Sequence, residues 1–411
     1  MNIKSKEKRN MRKNLIVSMF GLLIAVLVLS ACGSAVTPQT VVQTQFVEVT
    51  STPGPAAPAT PTALPAGSVQ INGAGATFPL PVYTQWTYAF QYVDPAVVIN
   101  YQGVGSGAGK TAILDNTVDF AGSDSLLNED QYTQGVDLQM YPMLAGAVVT
   151  VYNISFKAVP TPEAGKTAIT LPKLILDRQT LVDIYNAQIT RWNDPKIVTL
   201  NPELASYLPD AAITVVHRSD GSGTTEIFTK ALTSFSPDWT AGGASSVEWP
   251  ADKAGNGIGG KGNQGVAAAV INTPNSIGYV ELSYAKSNNM AFASMINKAG
   301  KTVVADAASV EAAMAEFATA FTDKLTATIV DGSSDATWPI AGYTYIILHT
   351  TSMTDCVKAQ KLLEFLQWAQ TDAGAQSAAA SLGYSVLPEA VRQIVLAKLA
   401  EVTCSGQPVL K

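Results

Sequence analysis

The sequence predicts an α/β fold of two domains, on three observations. Short β-rich runs alternate with helical patterns, the rhythm of sheets covered by helices. The part of the chain from Val69 on, about 345 residues, is longer than a single core usually serves. Turns of small residues and hydroxyls stand where a helical pattern begins. Taken in order, "AVVINYQ" reads as a strand, "GAGKTAILDNT" as a helix and "VDFAGS" as a strand. "GAVVTVYNI" and "AITVVHR" read as strands, each followed or preceded by a helical run, "QTLVDIYNAQI" and "GTTEIFTKAL". Near the end "TYIILHT" is a strand and "CVKAQKLLEFLQWAQ" an amphipathic helix. In that helix Leu362, Phe365, Leu366 and Ala369 recur at i, i+3, i+4 and i+7, which marks them as core.

The N-terminus sets the compartment. Lys4, Lys6, Lys8, Arg9, Arg12 and Lys13 precede an apolar stretch from Leu15 to Leu29, the layout of an export signal. Its ending, Leu29-Ser30-Ala31-Cys32, resembles the lipobox of bacterial lipoproteins, so residues 1–31 are expected to be removed and Cys32 lipidated. Acyl chains contribute about 0.8 kcal/mol per buried CH₂, and a stable anchor takes more than one. Residues 32–67, Thr- and Pro-rich as in "TSTPGPAAPATPTALPAG", read as a linker, extended where its prolines cluster at about 3 Å per residue.

Composition excludes several classes of function. Loss of the leader's six basic residues and of Glu7 takes the net charge from −6 to −11, with no basic face for nucleic acid. His217 and His349 lack ligand-like spacing to the cysteines, so no metal site and no cofactor is expected. With Cys32 carrying lipid, Cys356 and Cys404 remain; outside the cell they form either a disulfide or two buried thiols.

The stretch "GVGSGAGKT", Gly103 to Thr111, imitates a nucleotide-binding loop but fails its spacing, because the first required glycine falls on Val104. Gly103, Gly105 and Ala108 also fit a loose dinucleotide pattern, which export argues against. The residue types still suit an anion. Three segments share one design of small residues, a hydroxyl and then a helical pattern: around Thr77, around Ser106, and around Ser222 and Thr224. A helix start offers unpaired N–H groups and the positive end of the dipole; for each turn alone, ordinary capping is the alternative. Arg218, at the end of "AITVVHR", adds a planar fork of donors, and Asp220 stands ready to hold it. Lys110 reads as a solvated helix residue.

The blocks "GAGATFPLPVYTQW", "YQGVGSGAGK", "NTVDFAGSDSLL", "HRSDGSGTTEIF", "GGKGNQGVAAAV" and "IGYVELSYAK" resemble, in order, the phosphate-binding proteins of Pst-type ABC transporters. The likeness runs from about Ile71 to the C-terminus. It implies a two-lobed type II periplasmic-binding-protein fold with two chain crossovers and a ligand cleft between lobes. The crossovers fall near Ala145-Gly146 and Trp338-Pro339, giving lobe one as 68–145 plus 337–411 and lobe two as 146–336. It also implies a monomeric binding protein, not an enzyme, that takes inorganic phosphate and serves permease subunits with a cytoplasmic ATPase. Thr77, Phe78, Ser106, Asp124, Arg218, Ser222, Gly223 and Thr224 match the family's phosphate ligands, with Asp220 positioning Arg218. The family commonly has "GSSGG" where this chain has Ser106-Gly107-Ala108-Gly109; the ligand serine is kept. An ionised Asp124 only accepts hydrogen bonds. Phosphate near neutral pH brings a proton to it and sulfate does not, which predicts rejection of sulfate. A sensor or binding protein for another tetrahedral oxyanion is the alternative, and an extracytoplasmic phosphatase the lesser one; neither Ser106 nor Ser222 sits in a G-x-S-x-G elbow.

Overall fold

The computed structural model describes residues 67–157 and 171–410. The leader, Cys32 and the linker up to residue 66 lie outside the described residues. Among the described residues no helix is long and apolar enough to cross a membrane.

The scaffold is a ten-stranded sheet. Its main strands are β1 (Val69–Gly75), β2 (Val97–Gly103), β3 (Phe120–Ser123), β4 (Leu138–Asn153), β5 (Thr214–Arg218), β6 (Gly257–Gly260), β7 (Ser276–Glu281) and β8 (Ala341–His349). Their order across the sheet is β2-β1-β3-β8-β4-β7-β5-β6, and a short β9 (Ser385–Val386) also pairs with β4. Both flanks are parallel: β1 pairs with β2 and β3, and β5 with β6 and β7. Between them β4 and β8 run antiparallel.

β4 is the element the sequence reading cut short. "GAVVTVYNI" is only its second part; the strand starts at Leu138 and runs for 16 residues, buried along nearly its whole length. Its first part, Leu138 to Ala147, pairs with β8, and its second, Val148 to Asn153, pairs with β7. The handover is pinned by the Val148 N–H donating to the Ile340 carbonyl at 2.8 Å and the Trp338 indole N–H donating to the Val148 carbonyl at 3.0 Å. Pro142 has no N–H for the ladder, and here the register slips: Thr344 pairs with Leu144 but Tyr345 with Pro142, leaving Met143 as the extra residue of a bulge.

Helices start where strands end. α1 (Leu80–Val93) turns Val82, Tyr83, Trp86 and Phe90 inward, and α2 (Ser106–Leu114) follows β2. α3 (Gly223–Phe235) follows β5, α4 (Gly262–Asn272) follows β6 and α5 (Leu282–Ser287) follows β7. α6 (Cys356–Thr371) buries Leu362, Phe365, Leu366 and Ala369 as their spacing predicts. Phe90 of α1 meets Phe365 of α6 edge to face at 5.3 Å. Burying one such ring contributes roughly 1.5–3 kcal/mol. Of the two readings open for the cysteines, the structure has the disulfide: Cys356, at the start of α6, is bonded to Cys404 across 48 residues of chain.

Candidate functional site

The three hydroxyl-bearing turns converge at the middle of the sheet. The first leaves β1. Gly75 has φ of +145°, and a Cβ there would lie 2.0 Å from the Gly122 carbonyl oxygen, so only glycine lets β1 and β3 run this close. Thr77 and Phe78 follow, both buried. Their carbonyls are taken, Thr77's by the Tyr284 hydroxyl at 2.6 Å and Phe78's by the Tyr384 hydroxyl at 2.7 Å. Their N–H groups find no protein acceptor among the described residues.

The second turn places Ser106 at the first position of α2, after Gly105 at φ +99°. The Ser106 hydroxyl oxygen accepts from the Asp124 N–H at 3.2 Å and from the Gly223 N–H at 3.1 Å. One hydroxyl therefore touches both remaining segments of the site. Its own proton points to Asp124 Oδ2, at a long 3.5 Å.

The third turn leaves β5. Arg218 is buried, and its fork meets Asp220 twice, Nε to Oδ1 at 2.7 Å and Nη2 to Oδ2 at 2.6 Å. Asp220 Oδ1 also accepts from the Gly262 N–H at 3.0 Å. The pair is buried, with side-chain exposures of 1% and 13%, unlike the exposed pairs that contribute little. Fixed on that side, Arg218 turns Nη1 toward Thr224 Oγ1, 3.5 Å away. Burial raises the Asp220 carboxyl, but the Arg218 hydrogen bonds and charge and the Gly262 N–H outweigh it and hold the group below its ordinary value. Ser222 caps α3, accepting from the Thr225 N–H at 3.1 Å. Capping uses its lone pairs and leaves its proton free to donate. Gly223 lies so close to Asp124 that a Cβ would meet its backbone at 2.6 Å.

Asp124, just past β3, is the buried carboxylate at the centre. Oδ1 accepts from the Thr344 hydroxyl at 2.8 Å, on β8 beside the β4 bulge. Burial pushes this carboxyl up to about 7, while Thr344, the Arg218 charge and Ser106 pull it down and Glu226 adds to the rise. The two histidines stand apart from these serines. His217 is 2.8 Å from Asp252 and stacked on Trp249, and His349 is 2.7 Å from Asp137.

Sequence reasoning missed several partners. Asn263, at the start of α4, donates its N–H to Thr77 Oγ1 at 3.1 Å and its amide to Thr77 Oγ1 at 2.9 Å and Thr224 Oγ1 at 3.1 Å. Its signal was present: it sits in "GGKGNQG", a fourth turn of small residues before a helix, without a hydroxyl. Thr344, Tyr284 and Tyr384 had no local signal. Lys110 is corrected: it is buried rather than solvated, because α2 packs this face inward, and its ammonium donates to the Leu126 carbonyl at 3.1 Å. The two glycine turns also touch, the Gly107 N–H donating to the Gly221 carbonyl at 2.9 Å.

The assembled groups form a cluster of N–H, hydroxyl and guanidinium donors around one acceptor, Asp124, which suits a protonated oxyanion. The family described as a PBP superfamily domain matches residues 57–373. The phosphate-binding protein PstS of Pasteurella multocida is 39% identical over 331 residues, covering 80% of this chain and 89% of that one. PstS of Methanocaldococcus jannaschii is 34% identical over 345 residues, covering 80% and 85%. In fold, the chain is similar to the crystal structure of a phosphate-binding protein from Stenotrophomonas maltophilia, with a TM-score of 0.58 at 21% identity, covering 84% of this chain and all of that one. The two-lobed architecture of the periplasmic binding proteins is thus the fold of this chain, which belongs to the PBP superfamily and, within it, to the phosphate-binding protein PstS family.

Proposed function

We propose that this protein captures inorganic phosphate outside the cytoplasm and delivers it to an ABC permease. The observation that carries the reading is Asp124, a buried acceptor that takes hydrogen bonds from Ser106 and Thr344 and lies against Gly223. In this reading the Thr77 hydroxyl and N–H, the Phe78 N–H, Ser106, Arg218, Ser222, Gly223 and Thr224 donate to phosphate oxygens, and Asp220 aims Arg218. Asp124 accepts the phosphate proton. The names of the PstS relatives support the ligand. The lobes are 68–145 plus 337–411 and 146–336, a division supported by the change of β4 partner between Ala147 and Val148. Cys32 carries the lipid that holds the protein at the outer face of a membrane, and the linker lets the lobes reach the permease.

Net negative charge does not oppose capture. Charges farther than about 8–10 Å are screened at physiological salt, whereas dipoles and Arg218 inside a dry cleft act at low dielectric. Selection against sulfate follows from proton count. A buried site built around a hydrogen bond rejects a ligand that cannot make it by about 10⁴–10⁵. The test is calorimetric titration of the mature chain, stripped of bound anion, with phosphate and then sulfate. One-to-one phosphate binding without sulfate heat is expected; absence of phosphate binding in folded protein overturns the reading. A chromogenic phosphate ester should not be turned over.

A further inference from the structure

Glu281 ends β7 where β4 passes from one half of the sheet to the other, paired with Val148. Its side chain is fully buried. All its contacts fall on one oxygen. Oε2 lies 2.9 Å from the Ser283 N–H, 2.9 Å from the Tyr384 hydroxyl, and against the Ser283 hydroxyl. Oε1 has no hydrogen-bond partner among the described residues. An ionised carboxylate with a bare oxygen in a dry interior is costly.

The hydroxyl protons point the same way. Tyr384 has one proton and three oxygen neighbours, the Phe78 carbonyl at 2.7 Å, Glu281 Oε2 at 2.9 Å and the Ser283 hydroxyl at 3.1 Å, of which the carbonyl is the closest and can only accept. With that proton given to Phe78, the contact between Tyr384 and Glu281 has no proton unless the carboxyl supplies one.

We infer that Glu281 is a neutral acid and a positioning residue for the anion site: it donates to Tyr384, which donates to the Phe78 carbonyl and thereby fixes the turn whose N–H groups face the ligand. The same residue is tied to the cleft by a second route. Its own N–H donates to Asn263 Oδ1 at 2.9 Å, and Asn263 holds Thr77 and Thr224. Burial pushes the carboxyl up to about 8, against the pull of Ser283, Tyr384 and the Lys286 charge. Lys286 on α5 and the hydroxyls of Tyr284 and Tyr384 are the charged and titratable groups that act on it or are acted on by it. The inference rests on the phosphate reading of the cleft.

On the proposed lobe division Tyr384 (337–411) and Glu281 (146–336) lie on opposite lobes, so an opening of the cleft that parted their contact would let water reach the bare oxygen and lower the carboxyl toward its ordinary range. Closing on phosphate therefore takes up a proton at neutral pH, an uptake that fades as the pH rises past about 8. The test is calorimetric titration of the full chain with inorganic phosphate at about pH 7, in two buffers of different ionisation enthalpy. Asp124 and the ligand's own proton are common to every variant. Glu281→Ala and Tyr384→Phe should each weaken binding about tenfold. Glu281→Gln, whose amide carries a donor and an acceptor as the neutral acid does, should recover most of that loss. It should also take up on the order of one proton fewer than the parent chain. Equal proton uptake by the parent and Glu281→Gln overturns the inference, as does a Gln variant no better than Ala. Failure of the phosphate reading itself would show in the unsubstituted chain as no binding at all, which overturns both.

Discussion

Two aspartates face the same cleft, and their surroundings drive them in opposite directions. Asp220 meets a guanidinium through both oxygens and a backbone N–H, and stays below its ordinary value. Asp124 meets hydroxyls from Thr344 and Ser106, with Arg218 acting only at a distance, and burial carries it up to about 7. One residue type thus serves as a fixed anion that aims a cation and as a group poised to share a proton. The difference lies in partners and in burial together: Asp124 is buried, whereas Asp220 is only partly so and has a guanidinium on both oxygens.

The comparison is broken most strongly at Asp124. Asp124→Asn can turn its NH₂ toward sulfate, and should remove most of a phosphate-over-sulfate preference of about 10⁴–10⁵. Competition of sulfate with bound phosphate measures it, and unchanged rejection of sulfate by the folded variant would refute the proton-reading role. Asp220→Ala acts instead on the scaffold. It leaves Arg218 buried without its partner, at a cost of about 3–5 kcal/mol, read as a fall in the denaturant midpoint together with weaker phosphate binding. In the ligand-free chain Asp124→Asn should stabilise or do little, because it removes a buried carboxylate that pays to be ionised. A large loss there would erase the contrast.

Thr344→Val sharpens the comparison at a smaller scale. Asp124 Oδ1 loses its donor, which should cost about 1–3 kcal/mol and raise the carboxyl further, so that sulfate begins to compete at a higher pH. The smallest effect is that of pH on the unsubstituted chain. The value raised to about 7 means that Asp124 gains a proton as the pH falls through 7, and a protonated Asp124 can donate to sulfate. The preference for phosphate should then shrink by up to about tenfold per pH unit below that point. Stability moves with opposite sign at the two sites. The closed, ligand-free chain gains from Asp124 on acidification, as a raised group does when the pH drops below its folded value. It loses the Asp220 contribution only as the pH falls through the ordinary carboxylate range and on through that group's lowered value. A preference that stays flat on acidification would show that Asp124 does not titrate as its burial implies.

The local elements were legible because each carries its own period or turn chemistry. The hydroxyl before each helix, the glycines that let backbones meet, and Arg218 two residues from Asp220 all lie within short segments. What the residues alone did not disclose was long-range. "GAVVTVYNI" marks a strand but not that β4 begins eight residues earlier, at Leu138, or changes partner at Val148. Thr344 reaches Asp124 across 220 residues of chain, and Tyr384 reaches Phe78 across 306. Such contacts are set by strand order and helix packing, which periodicity does not encode. Lys110 was misread for the same reason: a lysine on a short helix looks solvated until the face it occupies is known.

The meeting of Gly107 and Gly221 has a consequence for the size of the cargo. The two turns are joined main chain to main chain, and a Cβ on Gly107 would already crowd Gly221 at 3.1 Å. On the proposed phosphate reading, the clearance between these two turns beside the site is set by two residues with no side chains at all. An anion wholly enclosed by hydrogen bonds lets these rims touch; one trailing an alcohol chain holds them apart. Free phosphate and its esters would then be sorted by whether the door can close, a criterion independent of charge and of proton count.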